Sequence, residues 1–150
     1  MRPVVFLRIA SVLTLIHAAL HTIGGVFGGV AAGAQQAAVT AMKTNEFLAL
    51  GAMRSYWDFY RGMGLAVSIF LTAEGIVFWQ LGSMLRSDGA RLRPILMTFL
   101  AAYLAMAVNS YRYFFSGPVI TEILIALCLG LAIAGARQIT TDEVDKRAFA

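Results

Sequence analysis

Charge is scarce in this 150-residue sequence. Only 13% of its residues are Asp, Glu, Lys or Arg, about half the share of an average soluble domain. One cysteine, Cys128, lies in an apolar run, which excludes an intrachain disulfide and leaves the redox compartment open. No phosphate loop, no recognised nucleophile motif and no Cys-rich metal motif occurs. Internal repeats and low-complexity segments are also lacking. What is present is apolar: 59% of the residues are hydrophobic, and the mean hydropathy is +0.75. The length limits the chain to one domain and accommodates four membrane-spanning helices of ~20 residues each. The net charge is +4 and the pI about 9.6. The basic residues flank apolar runs instead of forming a patch. That pattern excludes nucleic acid as a partner and is the ordinary topology signal of a membrane protein.

Spans are expected near residues 4–30, 56–85, 94–115 and 118–136. They form an all-α, antiparallel up-down-up-down bundle in a single transmembrane domain over residues 1–137, followed by a polar cytosolic tail at 138–150. The first run is too long for a cleaved signal h-region. Residues 31–53 are too polar to span. Val39, Met42, Phe47 and Leu50 give them a loose apolar face, so a short interfacial helix is expected there. Trp57 and Trp79 are 22 residues apart, roughly 33 Å along a helix, and read as belt residues at opposite membrane faces. Asp88-Gly89 marks a turn and Pro94 suits the first turn of the next helix. Eight Lys and Arg residues fall at the termini and in the 86–94 turn, against four on the other side. This bias puts both termini inside; in a bacterium the membrane would be the inner one.

An ionisable group in a bilayer costs roughly 2.5–3.5 kcal/mol even on a lenient insertion scale, so each one calls for a reason. His17 and His21 are four apart and share a face with Thr14, Gly24 and Gly28. They are candidates for acid/base chemistry or, with Glu122 from another helix, for metal ligation; packed interface histidines are the plain alternative. Arg54, Asp58, Arg61, Leu65, Ser68 and Thr72 recur on one face of the second span. Asp58 can pair with either arginine or orient a histidine, and Arg61 suits an anionic or carbonyl group. Asn109, Arg112 and Glu122 lie towards the same end of the bundle. With Arg54, Trp57, Tyr60 and Arg61 they are the candidate binding residues. The histidines, Asp58, Arg61, Asn109, Arg112 and Glu122 are expected to form one interior cluster open to the non-cytoplasmic side. Glu74 does not fit this stripe; a partner subunit or Arg8 is the expected partner.

The motifs His21-x-x-Gly24-Gly25 and Ser55-Tyr56-Trp57-Asp58-Phe59-Tyr60-x-Gly62-x-Gly64-Leu65 resemble a family of small, uncharacterised bacterial four-helix membrane proteins. The resemblance covers most of the chain. It implies a four-span inner-membrane fold and adds nothing about activity.

Three functions stay open. The first is binding of an amphipathic small molecule, or a role as accessory subunit of a membrane complex or homo-oligomer. The second is a membrane enzyme using His17 or His21 as acid/base, with Arg61, Arg112 and Asn109 stabilising an oxyanion. The third is a channel or transporter as an oligomer, since no broken-helix pattern favours a monomeric one. A metal or a haem is compatible with the histidines, though both lie on one helix.

Overall fold

A computed structural model describes residues 3–148, with side chains for all of these except Arg86 and residues 137–148. Helix α1 (Pro3–Leu20) opens into a wider π-helical turn, His21–Val26. A short helix α2 (Ala34–Thr44) and two strands, β1 (Glu46–Ala49) and β2 (Ala52–Ser55), follow. Helix α3 runs Tyr56–Tyr113 and α4 runs Ser116–Ala148. Four helical stretches are long and apolar enough to cross a membrane: Pro3–Val26, Tyr56–Leu85, Ser87–Tyr113 and Ser116–Ala136. Between 22% and 33% of each stretch's most apolar window is buried inside the chain. Outward faces therefore carry residues such as Ile69, Phe70, Val108 and Leu127, which lipid can solvate.

The chain forms two compact units, Met1–His17 with Thr72–Ala150, and Ala18–Leu71. In the first unit α3 breaks at Asp88, whose φ of −128° and ψ of 30° are non-helical. The turn expected at Asp88-Gly89 is there. Pro94 lies inside the helix and not at its first turn, because the second arm of α3 starts earlier, at Ser87. Sequence neighbours run antiparallel. Ser11 meets Gly75 and Leu7 meets Gly82; Glu74 meets Tyr103 and Phe78 meets Phe99; Ser110 meets Glu122 and Gly89 meets Ala136. Leu7, Phe78, Leu85, Leu96, Ile125 and Leu129 fill the core. Lipid tails are as apolar as leucine, so close packing and interhelical hydrogen bonds hold such a bundle, and small residues at the contacts matter. Gly75 is one: a Cβ there would stand 2.7 Å from Leu15 Cγ and Cδ2.

In the second unit the first span ends at Val26, short of the expected residue 30, with Phe27 leaving helical geometry. The glycine pairs at 24–25 and 28–29 explain this, because glycine loses the most chain entropy in a helix. The short helix expected between the first two spans is α2. Val39 and Met42 lie half-buried on it, but Phe47 and Leu50 belong instead to a β-hairpin that the apolar-face reading did not anticipate. Its register pairs Glu46 with Ser55, Phe47 with Arg54, Leu48 with Met53 and Ala49 with Ala52. The two-residue loop Leu50-Gly51 has φ of +50° and +89°, the left-handed pair that a type I′ turn requires.

Candidate functional site

In the Ala18–Leu71 unit the hairpin delivers the chain to the start of α3, and Ser55 and Asp58 fix that start. The Ser55 backbone N–H and hydroxyl both donate to Asp58 Oδ2, at 2.8 and 3.0 Å, and the Asp58 N–H donates back to the Ser55 hydroxyl at 3.3 Å. This is a capping box with Asp in the place usually held by Glu. It corrects the sequence reading of Asp58. The carboxylate is engaged with Ser55; among the described residues the ion pair is Arg91 with Asp88, not Asp58 with Arg54 or Arg61. The acid at the mouth of this apolar helix thus takes the Ser55 N–H and meets the positive end of the helix dipole, while the Ser55 hydroxyl takes the first-turn N–H of Asp58.

Around this start sits a collar of rings and cations. Lys43 Nζ lies 4.6 Å from the centroid of the Trp57 ring, and Trp57 stacks on Tyr60 at 5.3 Å. Phe47 packs against Tyr56 at 5.0 Å and stacks on Phe59 at 6.1 Å. The Arg61 guanidinium stands 4.8 Å over the Phe27 ring. Arg54 donates to the Met53 carbonyl at 2.7 Å and is exposed. Of the predicted binding residues, Trp57, Tyr60 and Arg61 are brought together here; Lys43 and Phe27 are additions.

His21 lies in the same unit. Its Nε2 is 3.1 Å from the Gly64 carbonyl oxygen. A carbonyl only accepts, so Nε2 carries the proton and the neutral ring keeps a basic Nδ1. The Gly64 carbonyl orients His21, in place of the expected Asp58. A Cβ at Gly64 would meet Val26 Cγ2 at 2.9 Å, so glycine here makes room for Val26. Nearby, the Thr22 hydroxyl lies 2.7 Å from the Ala18 carbonyl and 2.8 Å from the Ser68 hydroxyl.

The first unit carries its own buried polar groups. Ser11 donates to the Gly75 carbonyl at 2.6 Å. Thr14 donates to the Ala10 carbonyl at 2.9 Å and touches the Tyr103 hydroxyl at 3.3 Å. Tyr103 donates to Glu74 Oε2 at 2.9 Å, and Ser110 donates to Glu122 Oε1 at 2.9 Å. Glu74 therefore has an intrachain partner. It is not Arg8, whose guanidinium bonds Ser83 and lies 3.6 Å over Trp79.

Asn109 and Arg112 do not belong to an interior cluster: both are exposed. The inward face of this arm is set by Leu92, Leu96, Tyr103, Ala107 and Ser110. Asn109 is six residues past Tyr103 and Arg112 two past Ser110, offsets that turn both away at ~100° per residue. His17 is half-buried on α1. Among the described residues no three His, Cys, Asp or Glu side chains are placed to hold one metal ion, so His17, His21 and Glu122 are not assembled as a ligand set. Sequence reasoning missed Ser55, Tyr103 and Ser110. The Ser55-x-x-Asp58 spacing before an apolar run was a readable signal for the first.

The chain matches no family model, no curated protein and no solved structure. Fold and composition together define an all-α chain with four helices fit to cross a membrane.

Proposed function

We propose that this is a bacterial inner-membrane protein, both termini cytoplasmic, that binds an amphipathic molecule with an anionic head at the collar where α3 begins. The observation that carries the reading is the triad of cation over indole over phenol, Lys43–Trp57–Tyr60, with Arg61 beside it on Phe27. Indole and phenol rings supply a rigid wall with one apolar and one wet end, suited to the headgroup level. Lysine and arginine supply charge, and the arginine fork matches carboxylate or phosphate. The excess of Lys and Arg at the termini and the 86–94 turn supports the orientation, which places the collar on the non-cytoplasmic side.

The test is fluorescence of Trp57 in lipid nanodiscs, read in a W79F background with amphipaths brominated near the head. Anionic ones should quench Trp57 saturably and zwitterionic ones far less, and K43A with R61A should remove the difference. Equal, unsaturable quenching by both would reject the reading.

A second reading is acid/base chemistry at His21, favoured by its fixed tautomer with Nδ1 basic. It requires a lipophilic substrate whose labile proton reaches Nδ1. H21A would abolish turnover while sparing stability, whereas a packed histidine would lose stability first.

A further inference from the structure

The collar leaves unused two acids of the first unit, the buried Glu122 and the half-buried Glu74. Glu122 is 2% exposed, and its Oε1 accepts from Ser110. Its Oε2 is buried and has no hydrogen-bond partner. No cation pairs with it among the described residues. An ionised carboxylate in such surroundings would face a desolvation cost of several kcal/mol with one hydroxyl to offset it. A proton on Oε2 removes the charge.

The second acid, Glu74, bonds Tyr103, which lies on the same arm of α3 as Ser110. Tyr103 and Ser110 are seven residues apart, about 10 Å along the axis and on one face. Tyr103 links to Glu74 and Thr14. Thr14 gives its hydroxyl proton to Ala10 and Tyr103 gives its own to Glu74, so the Thr14–Tyr103 contact at 3.3 Å has none. One added proton on Glu74, donated to Tyr103, lets Tyr103 donate to Thr14, and every contact then carries one proton. The titratable groups on the surrounding helices are His17 on α1, Glu74 and Tyr103 on α3, and Cys128 on α4. Arg8 is engaged with Ser83 and Trp79.

We propose that Glu122 and the Glu74–Tyr103–Thr14 chain form an intramembrane proton-binding site, with Glu122 its buried acid. The ligand is a proton, taken up and released at a carboxyl held within the span. The assignment is independent of the collar and of what binds there.

The experiment is infrared spectroscopy of the full chain in lipid bilayers, for wild type, E122Q and E122D. A carboxylic acid C=O band is expected at neutral pH. It should shift in D2O, vanish at alkaline pH and be lost in E122Q. Glutamine resembles the neutral acid, so E122Q should fold. If it does not, E122D must move the same band. A band unchanged in both variants, or one that neither exchanges nor titrates, overturns the site as a reversible one. Loss of the band on adding an alkali cation at fixed pH overturns the proton as its ligand.

Discussion

Replacing Gly75 by alanine probes a close contact between α1 and the first arm of α3. The new Cβ would stand 2.7 Å from Leu15 Cγ and Cδ2 and 3.3 Å from the Ser11 carbonyl oxygen. Carbon pairs prefer ~3.5–4.0 Å, so Leu15 must retreat by about 1 Å. It is partly exposed and can turn, but the Ser11 backbone cannot, and α1 must shift with it. Overpacking of this kind costs about 1–3 kcal/mol. The Ser11 hydroxyl also donates to the Gly75 carbonyl at 2.6 Å, and a displaced α1 weakens a bond worth about 0.5–1.5 kcal/mol. Against this, alanine recovers at most ~1 kcal/mol of helix propensity. Gly130 on α4 is the control, because a Cβ there meets nothing within 4 Å. G130A should be neutral or stabilising by up to ~1 kcal/mol, leaving G75A less stable than G130A by roughly 2–4 kcal/mol. Reversible unfolding by SDS titration in mixed micelles measures both. Equal stability would refute the packing of α1 on the first arm of α3.

Other expectations follow from single contacts. Y103F removes the hydroxyl between Thr14 and Glu74 and should cost about 0.6–2 kcal/mol in the same titration, with E74Q non-additive to it; full additivity would mean the two side chains do not interact. S55A strips the cap of α3 and should cost about 1 kcal/mol, seen as faster amide exchange at Trp57 and Asp58; unchanged exchange would discount the capping box. L50N relieves a leucine whose φ is +50° and should stabilise the hairpin by about 1 kcal/mol, read from amide exchange across 46–55. Slower exchange in L50N than in wild type is the required sign.

The spans were legible because length and apolarity suffice to define them, and Asp88-Gly89 announced the reversal. The hairpin was not, since Leu50-Gly51 lacks the Asn-Gly signature of its turn and its strands are four residues each. Asn109 and Arg112 were misplaced for a related reason. A span apolar all round carries no amphipathic phase, so nothing in the sequence says which stripe faces in. Glu74 stayed unexplained because its partner, Tyr103, is 29 positions away. The role of Asp58 is decided by Ser55, three residues before it, whose N–H and hydroxyl hold the carboxylate, and not by the two arginines at helical spacing.

Native mass spectrometry of the protein extracted gently from its own membrane, with metal analysis of the same sample, tests the binding account most directly. The account predicts a stoichiometric amphipathic mass on the wild-type chain that is absent from the K43A/R61A variant. A clean apo monomer in both, or a bound mass indifferent to Lys43 and Arg61, would contradict it.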